Sequence, residues 1–268
     1  MTKTVLVTGA SAGIGKATAI YLAQNGYSVY GAARRTDKMH DLKNYGIKPI
    51  ALDVTKDDSM VGCVEQILKE TGSIDILVNS AGFGSAGAIE DLPMEDARYQ
   101  LEVNVFGALR LTQLVLPKMR DNRYGKIVNI SSIGGKVAFP LNGWYHASKF
   151  ALEALSDSLR MEVKPFGIDV IVIEPGGIES EWAEIANENM RRISGKTVYK
   201  EMVVRAERAT ADLKLPGPIV IAKLIQKSIE AKSPKTRYVG GYAAKPFLMI
   251  RKILSDRLMD NVILSQMK

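Results

Sequence analysis

Tyr145 and Lys149 stand four residues apart in a helical pattern, which puts a phenol and an ammonium on one face, one turn apart. Such a pair can move a proton. A free phenol ionises near pH ~10, and bringing it to neutrality takes about 4 kcal/mol of differential stabilisation. A neighbouring ammonium supplies much of that by favouring the phenolate. A phenol tuned in this way protonates the alkoxide that develops when a hydride reaches a carbonyl, and takes the proton back in the reverse direction. The spacing alone is weak, because with 10 tyrosines in 268 residues and many lysines it arises by chance. Position gives it weight. Ser131-Ser132 closes the apolar run that precedes it, where a hydroxyl can hold a substrate oxygen beside the phenol.

A second constellation lies near the start of the chain. Thr8-Gly9-Ala10-Ser11-Ala12-Gly13-Ile14-Gly15 sits between an apolar strand run and a helical stretch. Glycines here permit a tight turn and let backbone approach a pyrophosphate, whose charge the following helix N-terminus favours. The next apolar run ends in Ala32-Ala33-Arg34-Arg35, with no carboxylate at its tip. A free ribose 2′-hydroxyl calls for an acidic residue there, whereas a 2′-phosphate calls for arginine. Arg34, followed by Arg35, therefore favours NADP(H) over NAD, with Asp37 nearby as the opposing signal.

These groups need elements to carry them. Short apolar runs without polar alternation read as strands buried on both faces: Thr4–Thr8, Ser28–Ala33, Lys48–Val54, Asp75–Asn79, Lys126–Ser131 and Asp169–Glu174. Helical patterns alternate with them, including a long one over Met94–Arg120 and another over Tyr145–Lys164. The alternation predicts an α/β fold, a doubly wound parallel sheet (Rossmann fold) in three α/β/α layers, with residues 1–268 as a single NAD(P)-binding domain. Residues 181–215 are polar and helical, and Arg237–Val239 can add a last strand. From Pro246 to Lys268 the spacing predicts one amphipathic helix, with Phe247, Ile250, Leu254, Leu258 and Val262 on its stripe.

Composition excludes other classes. The one cysteine, Cys63, lies in an apolar-periodic stretch and reads as a buried hydrophobe; one cysteine with His40 and His146 makes a metal centre improbable. A formal charge of +7 is spread along the chain without a basic block, so no nucleic-acid partner is expected. There is no signal peptide pattern and no apolar run of the ~18 residues that span a bilayer, so the expectation is a soluble, cytoplasmic protein.

Taken in order, these residues resemble the short-chain dehydrogenase/reductase family. The resemblance rests on the glycine turn, Asp53 after the third strand, Asn79-Ser80-Ala81-Gly82, Asn104, Ser132, Tyr145, Lys149, and Pro175-Gly176 with Ser180. It implies that Tyr145 is the acid-base and that Lys149 binds the nicotinamide ribose and lowers the tyrosine pKa. By the same resemblance Ser132 orients the substrate oxygen, and Asn104 holds a water that links Lys149 to solvent. For the cofactor it implies contacts from Gly9, Ser11, Gly13, Ile14, Gly15, Arg34 and Arg35. It also implies Asp53 on the adenine amino group with Val54 beside the ring, and Asn79, Ala81 and Gly82 along the crevice. After the Pro175-Gly176 turn, Ile178 and Ser180 would meet the carboxamide. Ser80 and Ser180 depart from the asparagine and threonine usual at their positions, and His146 receives no catalytic role.

Residues 181–215 then correspond to the family's substrate lid. Trp182, Ile185, Met190, Ile193 and Met202 favour a lipophilic carbonyl or alcohol substrate, of steroid, retinoid or other ketone type. The tail can cover the core, join a subunit interface or, least favoured, touch a membrane surface; the resemblance implies a homodimer or homotetramer. A non-catalytic NADP(H)-sensing protein and a 3-oxoacyl thioester reductase are the alternative functions; retention of Asn104, Ser132, Tyr145 and Lys149 favours an enzyme over a sensor.

Overall fold

Strands buried on both faces must send alternate side chains into two cores, and the apolar runs do so. The computed structural model, which describes residues 2–267, forms β1 (Thr4–Thr8), β2 (Ser28–Ala33), β3 (Lys48–Ala51), β4 (Ile76–Asn79), β5 (Gly125–Ile130), β6 (Ile168–Pro175) and β7 (Arg237–Gly240). These make one sheet in the order β3-β2-β1-β4-β5-β6-β7, with every pairing parallel. Leu6, Leu77, Ile127 and Val170 face one core, which is closed by α2 (Asp57–Thr71), α4 (Gly107–Asp121) and α5 (Gly143–Val163). Val5, Val7, Ile76, Val78, Val128 and Ile171 face the other, closed by α1 (Gly13–Gln24), α8 (Ile219–Glu230) and the 3-10 turns at Thr36–Tyr45. The result is the expected three-layer, doubly wound sheet. Strand order reverses between β1 and β4, and it is at such a switch point, beyond the carboxyl ends of the strands, that open sheets bind ligands.

Two elements differ from expectation. The helix over Met94–Arg120 exists but is interrupted: α3 (Met94–Leu101) passes through a π-turn at Glu102–Phe106 before becoming α4. The tail is two helices, α9 (Ala244–Ile253) and α10 (Asp256–Ser265), while Lys268 lies outside the described residues. Leu254 and Ser255 take extended backbone, so the single stripe is broken. Phe247, Leu254, Met259 and Ile263 pack on Val137 and Phe139, whereas Ile250 and Leu258 face outward. Burying the first group on that loop requires the chain to bend at Leu254–Ser255. The stretch 181–215 does fold as two helices, α6 (Glu181–Ser194) and α7 (Lys200–Ala211). Periodicity reasoning passed over α8, although Ile221, Ile225 and Ile229 mark its buried stripe. Among the described residues no helix is long and apolar enough to cross a membrane.

Candidate active site

Asn142 precedes the first turn of α5, so Tyr145 stands at that helix's mouth and Lys149 one turn inside. Lys149 Nζ donates to the carbonyl of Ile130, the last residue of β5, at 2.8 Å, and lies 5.8 Å from the centre of the Tyr145 ring. Burial lowers the Lys149 pKa to about 8, opposed by the charge of Glu153. Burial raises that of the Tyr145 phenol, and the Ser132 hydroxyl works the other way. The phenol is thus held in its acid form, and the lowering by Lys149 that the resemblance implies is outweighed by burial.

Ser132 caps the short 3-10 turn Ile133–Gly135. Its Oγ accepts from Gly134 N at 3.0 Å and reaches the Pro175 carbonyl at 3.4 Å, across the ends of β5 and β6. Ser131 turns inward, its Oγ buried and without a hydrogen-bond partner among the described residues. This separates the two serines that sequence leaves adjacent.

Asn104 lies in the π-turn, a feature frequent at functional sites. Its side chain clamps the loop after β4: Oδ1 accepts from Phe83 N at 2.7 Å, and Nδ2 donates to Phe83 O at 2.9 Å and to Ser148 Oγ at 3.0 Å. Both side-chain hydrogens are therefore spent on protein. His146 is likewise structural, since Nε2 accepts from Phe139 N and Nδ1 donates to Gly134 O, which requires the neutral ring.

The glycine turn is tightly fitted. Gly9 has φ +68°, and a Cβ there would stand 2.7 Å from Ser80 O; a Cβ on Gly15 would strike the Gly9 carbonyl. Toward the crevice the packing opens. The nearest atoms to a Cβ on Gly13 or Gly82 are 3.7 and 3.8 Å away, which leaves a cradle along the turn and the Ala81-Gly82 loop. Thr8, which sequence reasoning did not single out, ties these two loops together: its Oγ1 accepts from Ser80 N at 3.0 Å and Ala81 N at 2.9 Å. A buried strand-end hydroxyl directly before a glycine turn was the available signal.

The remaining positions sort by partner. Asp53 Oδ1 accepts from Thr55 N and Oγ1, and these bonds and Arg34's charge hold its pKa down against burial. Val54 is buried against Gly107, whose Cβ would meet Val54 O at 2.5 Å. Asn79 is a brace, its Nδ2 donating to Asn129 Oδ1, Ala108 O and Thr112 Oγ1. Ile178 is buried beside Gly241, and Ser180 is half-buried just ahead of α6. Gly176 N bonds to Gly240 O at 2.8 Å, which fixes the turn after β6.

The two arginines part company. Arg34 bonds to the Tyr99 hydroxyl, whereas Arg35 bonds to Ser11 Oγ at 3.3 Å, on the glycine turn, and to Glu181 at 3.1 Å. Lys38 joins Arg35 on Glu181, also at 3.1 Å. Lys38 and Glu181, with Ser11, Gly13, Lys16 and Asp41, line an open pocket of about 560 Å³, and Arg35 reaches its edge through Ser11. Arg35, Lys38 and Ser11 form a cluster suited to a phosphate dianion. Next to Glu181, Trp182 lies over Tyr145 with ring centres 4.8 Å apart, seated on Gly84, where any side chain would collide with the indole. The lid thus touches both ends of the crevice. Lys38 and Glu181 escaped sequence reasoning because their pairing spans 143 positions. With a glycine cradle at one end and a buried ammonium at the other, the residues fit a nicotinamide dinucleotide.

Comparison with known proteins agrees with this geometry. The family model described as short chain dehydrogenase matches residues 3–191. The 3-ketodihydrosphingosine reductase of Bacteroides thetaiotaomicron is 36% identical over 261 residues, covering 96% of this chain and 94% of that protein. The NADPH-dependent 3-dehydrocapnine reductase of Ornithobacterium rhinotracheale is 32% identical, covering 98% and 96%. A solved short-chain dehydrogenase from Streptomyces avermitilis superposes with a TM-score of 0.82 at 35% identity, over 93% of this chain and 91% of that one. A doubly wound sheet with these motifs at the carboxyl ends of its strands, matched over most of its length by such relatives, belongs to the short-chain dehydrogenase family of oxidoreductases.

Proposed function

We propose that the chain is an NADP(H)-dependent oxidoreductase that interconverts a ketone and a secondary alcohol on a lipophilic, long-chain substrate, with Tyr145 as general acid and base. The observation that carries this reading is the convergence of the Tyr145 phenol, the Ser132 hydroxyl and the Lys149 ammonium beside a glycine-lined crevice. When bound, the nicotinamide supplies or receives the hydride. Ser132 holds the substrate oxygen, and Tyr145 Oη gives it a proton as negative charge develops. Lys149 stabilises the phenolate that remains, and its proton is restored from solvent. Because both side-chain hydrogens of Asn104 are spent on Phe83 and Ser148, a water in that relay would donate to an Asn104 oxygen rather than accept from its amide.

Two features support the finer choices. Arg35 and Lys38 offer paired cations at the adenosine end, and one relative is NADPH-dependent by name. The lid presents Trp182, Tyr199 and Met202 around an apolar cluster of Ala86, Leu141 and Met190, and the two named relatives reduce a sphingoid ketone and dehydrocapnine. The test is steady-state reduction of long-chain and short-chain ketones with NADPH and with NADH. We expect kcat/KM to favour NADPH and long chains, and Arg35→Ala to lower NADPH efficiency at least about tenfold while sparing NADH. A wild-type preference for NADH would overturn the cofactor assignment.

A further inference from the structure

The first turn of α6 joins the two ends of the crevice, and the proton transfer described above makes no use of that join. Glu181 spreads its carboxylate over two cations: Oε2 accepts from Arg35 Nη1 at 3.1 Å, and Oε1 from Lys38 Nζ at 3.1 Å. The next residue, Trp182, lies on the Tyr145 ring with centres 4.8 Å apart and planes tilted by 47°. No substrate fits between rings in such contact. His146 and the Lys149 ammonium also flank the phenol ring, so Trp182 is the neighbour that a movement of the lid can remove. Its seat is Gly84, where a Cβ would stand 2.4 Å from the indole Cε2 and Cζ2.

Beyond this turn α6 is fastened. Ala186 and Met190 are buried, Ser194 Oγ accepts from Ala88 N at 2.9 Å, and Arg191 and Arg192 pair with Glu207 and Asp96. The turn itself is held lightly. Among the described residues no side chain caps it, and Ser180 ahead of it takes extended backbone. The side chains of Glu181, Arg35 and Lys38 are each more than 40% exposed, and ion pairs exposed to that degree gain little over water. A phosphate, with more charge and more acceptor oxygens than a carboxylate, outcompetes it for those cations. Glu181 and Trp182 are consecutive residues of one turn, so what releases the first loosens the second.

We propose that Glu181 is a positioning residue that sets cofactor specificity: bound to Arg35 and Lys38 it holds Trp182 over Tyr145, and a ribose 2′-phosphate that takes its place frees the indole and admits the ketone. This rests on reading Arg35 and Lys38 as the phosphate site of the cofactor. Access to the phenol is thereby coupled to the one group that separates NADPH from NADH. The coupling is reciprocal: whatever lifts Trp182 from Tyr145 strengthens phosphate binding at the far end by the same factor.

The test uses adenosine 2′,5′-bisphosphate, which carries the phosphate but no nicotinamide, with AMP as the control. The chain holds two tryptophans, so Trp182 emission is read in a Trp144→Phe background, and calorimetry gives the affinities. There the bisphosphate should shift the emission to longer wavelength, and AMP should not. Glu181→Gln should show the shifted emission without ligand. Gly84→Ala, which unseats the indole at the opposite end, should bind the bisphosphate several-fold more tightly and AMP as before. Trp182→Leu should do the same, and it serves if Gly84→Ala fails to fold. Three results overturn the proposal: emission unmoved by bound bisphosphate, unshifted ligand-free emission in Glu181→Gln, or bisphosphate affinity within about twofold of wild type once the indole is unseated. Equal wild-type affinities for the bisphosphate and AMP would instead sink the phosphate reading of Arg35 and Lys38, while the ligand-free emission of Glu181→Gln would still decide whether that residue holds Trp182.

Discussion

Lys149 donates to the Ile130 carbonyl at 2.8 Å with little water around it, and burial brings its pKa from 10.5 to about 8. Between those values the folded chain binds fewer protons than the unfolded one, so this side chain's contribution to stability rises with pH over that window. Below about pH 8 the full cost of the buried ammonium is present. Lys149→Met should therefore raise the Tm of the cofactor-free protein at pH 7, by about 1–3 kcal/mol of stability, while abolishing turnover. The gain should shrink as pH approaches 10.5; a lower Tm at pH 7 would contradict this. The sequence made Tyr145 and Lys149 visible as a pair, because helical spacing is local. It could not distinguish Ser131 from Ser132 by chemistry, nor show that Asn104's amide is spent on Phe83, because those depend on how loops cross.

At the scale of elements, the first turn of α6 is the informative piece. Glu181 occupies Arg35 and Lys38 while Trp182 covers Tyr145, so one turn of helix engages both ends of the crevice. A phosphate arriving at Arg35 must compete with the Glu181 carboxylate. Glu181→Gln weakens that competitor, and NADPH affinity measured by fluorescence titration should rise several-fold, with NADH affinity unchanged. Equal affinities for wild type and variant would show that the contact is incidental. Strand positions were legible because each is a short apolar run between turns. The π-turn at Glu102–Phe106 was not, since its residues keep a helical pattern and only the clamp on Phe83 marks the irregularity. The bend at Leu254–Ser255 was hidden for a similar reason: a continuous amphipathic stripe extends through it, and only packing on Val137 and Phe139 decides which residues turn inward.

For the whole molecule, parallel topology does most of the gathering. Thr8, Asn79, Ile130 and Pro175 end four neighbouring strands, so residues more than a hundred positions apart meet along one edge of the sheet. The same topology leaves apolar side chains outside: Phe106 is 58% exposed, Phe150 45% and Met161 67%, on the π-turn and α5. Such a face suits self-association, and sedimentation velocity should find a dimer or larger species; a monomer at micromolar concentration would reject that assembly. The glycine turn, the Tyr145–Lys149 pair and the two arginines were legible as motifs, whereas the contacts of Lys38 and Glu181 emerged only once α6 was folded against the turn. The most direct measurement of the central claim is single-turnover oxidation of bound NADPH by a long-chain ketone in wild type and Tyr145→Phe. With NADPH affinity retained, the variant should be slower by at least about a thousandfold; a rate within a few-fold of wild type would contradict the assignment of Tyr145 as the proton donor.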